Sequence, residues 1–134
     1  MTGTIRNLQA LKLCTIAEDD QSVLLLPLPD RIFGFHAQQS CEKLFKALIA
    51  AHGQTFPMTH NLKDLEDQLS QSCNEILPAT PFPIRRLQPF AVEFRYDSSA
   101  KLSEVQRNEI RETVAMLRDH IVERILQVEQ ALRP

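Results

Sequence analysis

Two groups of residues in this chain have the types and spacing to do chemistry. In FHAQQSCEKLFKALIAAHG, His36, Gln39 and Lys43 stand at helical intervals, so an imidazole, an amide and an ammonium share one side. Further on, Glu93, Arg95 and Tyr96 gather a carboxylate, a guanidinium and the chain's one tyrosine. An imidazole moves protons near neutral pH, and a guanidinium grips phosphate oxygens. An aromatic ring beside a cation suits the base and phosphate of a nucleotide. His36 and Arg95 are therefore the catalytic candidates. The same two, with Gln39, Lys43, Glu93 and Tyr96, are the candidates for binding a nucleotide or a partner. A plainer role for the second group is a glutamate–arginine network orienting a buried tyrosine hydroxyl.

Other clusters carry less. Arg31 and His36 are five residues apart, which on a helix separates them by about 140° and denies them a common face. His36, His52, His60 and His120 show no H-x-x-x-H spacing and no adjacent cysteine pair, so no metal is expected. His60 is expected to support a loop or helix start by hydrogen bonding, and His120 to be an ordinary exposed or interface residue. Glu18-Asp19-Asp20 reads as a solvated face, and Arg85-Arg86 as a small basic spot. No Gly-rich phosphate loop is present, and no cofactor is expected. Cys14, Cys41 and Cys73 are too scattered for a disulfide framework and read as small buried hydrophobes in a reducing cytoplasm.

These side chains need helices to hold them. With 3 glycines in 134 residues and abundant Leu, Ala, Glu, Gln and Arg, the composition favours helix over strand. A first helix is expected from near Ile5 to Leu26, stopped by LPLP. A second is expected from an Asp30 N-cap to Gly53, with Ala37, Cys41, Leu44, Phe45 and Leu48 on its core side. On that wheel His36, Gln39, Lys43 and Lys46, flanked by Gln38 and Glu42, form a surface stripe. Gly34 within this helix points to a close backbone approach.

Thr59 is expected to cap a short helix through Leu62, Leu65 and Leu69. A surface connection, SCNEILPATPFP, follows it. PIRRLQPFAVEFRY then resumes helical spacing through Leu87, Phe90 or Ala91, and Phe94, broken or begun at Pro89. Ser103 with Gln106 forms a capping box for the last helix, to about Leu132. Its apolar seam runs Ile110, Val114, Leu117, Ile121, Ile125, Val128 and Leu132. The sum is an all-α, antiparallel up-and-down bundle of about five helices in a single domain, residues 1–134. A net charge of −2 gives no field for DNA, so any RNA contact must come from a local patch. The N-terminus lacks signal-peptide features, and no apolar stretch suits a bilayer.

Three blocks, DRIFGFHAQQSCEKLFKALIAAHG, then Thr59-His60-Asn61-Leu62, then FAVEFRYD, closely resemble the HEPN (higher eukaryotes and prokaryotes nucleotide-binding) domain family. The match runs in order from about Leu8 into the last helix. It implies a helical bundle that is usually a homodimer and often works beside a minimal nucleotidyltransferase as a toxin–antitoxin pair. Active members are similar to metal-independent RNases, with an arginine followed four to six residues later by a histidine near the start of a late helix. The arginine stabilises charge on phosphate, and the histidine moves the 2′-hydroxyl or leaving-group proton.

Carried onto this sequence, that arginine maps to Arg95 and the histidine to nothing, so RNase activity is not the leading expectation. Tyr96 does not stand at the position of the tyrosine that such pairs modify. The leading expectation is a non-catalytic or weakly active HEPN protein paired with a minimal nucleotidyltransferase, able to bind a nucleotide. A metal-independent RNase toxin using a relocated histidine and a stand-alone nucleotide-binding bundle are the alternatives.

Overall fold

The computed structural model describes residues 3–93 and 100–132. Within them are four α-helices and two 3-10 segments, and no strand. Helix α1 spans Leu8–Ser22 and tightens into a 3-10 turn, Val23–Leu25, before the prolines. It starts later than Ile5 because Asn7 is the cap, its side chain accepting from the Ala10 N–H. The Glu129 carboxylate takes the Arg6 and Asn7 N–H groups and holds the incoming chain extended.

Helix α2, Asp30–Ala51, has Pro29 rather than Asp30 at its cap position. Asp30 is instead the first helical residue, and its carboxylate is spent on Leu102 N–H and Arg107. At the other end Gly53 takes a left-handed φ of 76°. Gly53 N–H then reaches Ala50 O and Gln54 N–H reaches Ile49 O, the paired bonds that close a helix on a left-handed glycine.

Helix α3, Leu62–Cys73, is capped by Asn61, which accepts from Lys63 and Asp64 N–H. Thr59 contributes one step earlier, its hydroxyl accepting from Asn61 N–H. The segment Ile84–Ala91 is a 3-10 run instead of an α-helix. Pro89 lies inside it, and a proline there removes a donor that α-helical geometry would need. Helix α4, Glu104–Ala131, opens with the full capping box of Ser103 and Gln106. Its seam is buried from Ile110 to Val128, while Leu132 falls outside it, 68% exposed.

Cross-helix contacts give the directions. Asn7 meets Ala50, Ser40 donates to Ala17 O, and Glu18 meets Arg118, so α1 runs antiparallel to both α2 and α4. The long return through the 3-10 run brings the start of α4 beside the start of α2, where Arg107 meets Asp30. Helix α2 is the central rod, packed by α1, α3, α4 and the 3-10 run. Fifteen of its 22 residues are buried, so it is covered on almost every side rather than along one stripe.

The three cysteines lie in this interior. Burial pushes the Cys14 thiol up to about 11 and the Cys41 thiol to about 12, which leaves both inert near neutral pH. Gly34 does mark a close approach, but by a ring: an added Cβ would fall 2.2 Å from Phe90 Cδ1 and 2.4 Å from its Cγ. Gly34→Ala is expected to cost about 1–3 kcal/mol through overpacking, more than alanine's helix propensity returns. Urea unfolding would measure it, with Phe90→Leu added to recover part of the loss. Unchanged stability in Gly34→Ala would mean that the ring yields freely.

Candidate functional site

The stripe read as a surface face is interior at Lys46 and along its flank, while His36, Gln39 and Lys43 stay partly exposed. Gln38 and Glu42 have no exposure and Lys46 only 9%, because the loop before α3 folds back over this side of α2. An ionised carboxylate in that position must be compensated on every oxygen. Glu42 Oε1 receives His60 Nδ1 at 2.9 Å, and Oε2 receives Lys46 Nζ at 3.1 Å, with Lys43 Nζ at 3.5 Å. Lys46 also lies 5.3 Å from the centre of the Phe56 ring, which covers its charge.

The amides complete the circuit. Lys43 donates to Gln39 Oε1 at 2.7 Å, Gln39 to Gln38 Oε1 at 2.7 Å, and Gln38 Nε2 to His60 O at 3.0 Å. Gln39 and Lys43 are thus occupied in holding Glu42 and the loop, and both are only partly exposed. Burial pushes the Glu42 pKa up, but the His60 hydrogen bond and the two ammoniums outweigh it and hold the carboxyl below its ordinary 4.5. Since an ionised carboxylate only accepts, His60 Nδ1 carries the proton. The rest of that ring faces solvent, with 67% of the side chain exposed. The expected supporting role of His60 is what forms.

His36, though on the same helix, belongs to a different contact. Its Nδ1 meets Asp20 Oδ1 at 2.8 Å, on α1, so Asp20 is an orienting partner and not part of a purely solvated acidic face. The structure therefore divides the proposed trio, with His36 held by α1 and Gln39 with Lys43 held in the Glu42 circuit. Glu93 is exposed just past the 3-10 run. Arg95 and Tyr96, and Phe94 of the expected helical spacing, lie outside the described residues.

At the start of α4 stands an arginine that the sequence reading passed over. Arg107 is 7% exposed, and its Nη1 donates to Asp30 Oδ1 and Leu28 O, both at 2.9 Å. Its guanidinium lies 4.1 Å from the Phe33 ring centre, with Arg111 also over that ring at 5.2 Å. The Ser103 capping box was the available signal, since it dates the start of this late helix four residues before Arg107. Positions four to six beyond Arg107 hold Arg111, Glu112 and Thr113, and none is histidine.

Of the two remaining histidines, His52 is structural. His52 meets the buried Glu75 carboxylate at 2.8 Å, and Arg124 grips the same carboxylate with two bonds. Burial pushes Glu75 up, but Arg124 and His52 bring it below 4.5 on balance. This ties the ends of α2 and α3 to α4, and it places Glu75 inside a connection expected to lie on the surface. His120, expected to be exposed or at an interface, is half-buried, and its Nε2 is buried with no hydrogen-bond partner. Among the described residues no group of three His, Cys, Asp or Glu is arranged to hold a metal ion. No described helix is long and apolar enough to cross a membrane.

Comparison with protein families matches residues 31–126 to the family described as HEPN domain. Neither the curated proteins nor the solved structures contain a match.

Removing Glu42 tests the buried circuit. Glu42→Ala leaves the buried Lys46 ammonium without its carboxylate and is expected to cost about 3–5 kcal/mol in chemical denaturation. A carboxyl whose folded pKa is lowered stabilises fully above its unfolded pKa and loses that stabilisation as pH falls through the folded value. Glu42→Gln should therefore flatten the stability–pH profile below about pH 5, leaving the slope that Glu75 contributes. An unchanged acid limb would remove Glu42 from the account.

Proposed function

The chain belongs to the HEPN domain family, and from that premise we propose that it is the non-catalytic or weakly active member of a pair with a minimal nucleotidyltransferase. The pair is toxin–antitoxin-like and cytoplasmic, with this chain as a homodimer able to bind a nucleotide. One observation carries the reading. The resemblance assigns the family's arginine to Arg95, and the positions four to six beyond it hold Ser99, Ala100 and Lys101; Arg107, at the start of the late helix, is consumed by Asp30, Leu28 O and Phe33 and is followed at those positions by Arg111, Glu112 and Thr113. No imidazole stands there to take the 2′-hydroxyl proton, and the Arg107 guanidinium is already paired. What remains is a rigid bundle suited to recognition.

The reading expects a small nucleotidyltransferase gene beside this one, and the experiment is co-expression of the two. The two products are expected to co-elute at micromolar concentration and to remain together through a second column. Separate elution removes the reading. A metal-independent RNase is favoured by one observation only, the fixing of His36 by Asp20, which orients an imidazole as a proton-transfer group requires. If that reading held, purified protein would cleave RNA without metal, and His36→Ala would lower the rate by about 10²–10⁴-fold. We expect no cleavage by either protein.

A further inference from the structure

Three histidines each give one ring nitrogen to a carboxylate: His36 Nδ1 to Asp20, His52 Nε2 to Glu75 and His60 Nδ1 to Glu42. They differ in what the second nitrogen meets. The His60 side chain is 67% exposed, against 31% for His36 and 19% for His52. Among the described residues no hydrogen-bond partner reaches His60 Nε2. His36 stands edge-on to the Phe35 ring, and His120 has its Nε2 buried. With the proton on Nδ1, His60 Nε2 carries a lone pair open to solvent.

The carboxylate behind this ring sets it apart from an ordinary surface histidine. Glu42 is wholly buried where Asp20 is partly exposed, so water does not screen its pull on Nδ1. Gln38 and Gln39 Nε2 steady its Oε1 at 3.4 and 3.5 Å, and Lys46 with Lys43 holds Oε2. Gln38 also holds the His60 carbonyl, so backbone and ring are fixed together. When Nε2 attacks an electrophile the ring becomes cationic, and a preorganised carboxylate 2.9 Å from Nδ1 stabilises that charge as it forms. This is the arrangement of an activated nucleophile. The surroundings narrow the group it takes. Lys43 and Lys46, gathered on the same carboxylate, and the N-terminus of α3, which starts two residues on at Leu62, place positive charge near the ring. A neutral acyl group gains nothing from them, whereas a phosphoryl group, anionic after transfer, is stabilised by both.

We infer that His60 Nε2 is a phosphoryl-acceptor site, oriented by Glu42, for an activated phosphoryl donor of the phosphoramidate class. In the transfer the Nε2 lone pair attacks phosphorus and an N–P bond forms. The bond from phosphorus to the leaving ammonia breaks, and its electron pair departs with the ammonia. The Nδ1 proton stays on the ring, whose new positive charge faces Glu42. Glu42 is a positioning residue here, touching the ring and never the donor. The site needs neither a nucleotide nor a paired protein, so it goes beyond the proposed function and does not rest on it.

Incubating the full chain with phosphoramidate and mapping the product by mass spectrometry, under alkaline conditions that preserve N–P bonds, tests it. Phosphate is expected on His60 ahead of His36, His52 and His120, and about tenfold faster than on His60 of the same chain unfolded in urea. His60→Gln should remove that product and leave only the slow background on the other three. Glu42→Gln, its fold checked by circular dichroism, should lower the His60 rate about tenfold. If that variant does not fold, the comparison of native with unfolded chain carries the test. A histidine with a structural role alone reacts no faster folded than unfolded, and that result overturns the inference. So does His36 reacting first, or a folded Glu42→Gln variant that keeps the wild-type rate. Preferential modification of His60 by diethyl pyrocarbonate, a neutral acylating reagent, without transfer from phosphoramidate would also overturn it.

Discussion

The position of α2 at the centre of the bundle is the constraint on which the rest depends. A helix covered by α1, α3, α4 and a 3-10 run has little surface left for water, yet this one buries Gln38, Glu42 and Lys46. Burying an unpaired carboxylate would cost several kcal/mol or force it to neutralise. The loop of residues 53–61 answers that requirement by returning His60 to Glu42 and its own carbonyl to Gln38. The same bonds set where α3 begins, because Asn61, its cap, follows His60 directly. Polar compensation in the core and the placement of a surface helix are thus one arrangement.

A second constraint acts where α2 and α4 begin together. Asp30 takes both Leu102 N–H and Arg107, and Phe33 lies under the guanidinium. Cation, ring and carboxylate in mutual contact make a rigid corner, stronger than an exposed ion pair because Arg107 has little access to water. An arginine engaged in this way positions helices, and a phosphate would have to displace Asp30 to reach it. At the opposite end the Glu75 contacts with His52 and Arg124 play a matching part. The bundle is therefore pinned at both ends by carboxylate–arginine contacts, Asp30 with Arg107 and Glu75 with Arg124.

What the sequence by itself determined was everything local. Ser103 and Gln106 announce the start of α4, Gly53 the end of α2, and the three-and-four spacing from Ile110 to Val128 the buried seam. The three separated blocks were enough to identify the family, because they are short patterns in fixed order. Pro89 warned of a break, and the chain resolved it as a 3-10 run.

Only the tertiary structure decided which polar residues are buried. A helical wheel places Glu42 and Lys46 on a side away from Leu44 and Leu48, but it cannot know that a loop eighteen residues later will cover that side. His36 likewise parted from Gln39 and Lys43: it is held by Asp20 on α1, whereas they are held on α2 itself, by Gln38, Glu42 and each other. Arg107 stood in plain view in the sequence, but its pairing with Asp30 spans 77 residues, a separation that no local spacing encodes. Helix starts, stops and seams follow from bonds between near neighbours in the chain, whereas burial and charge pairing follow from which distant segment arrives.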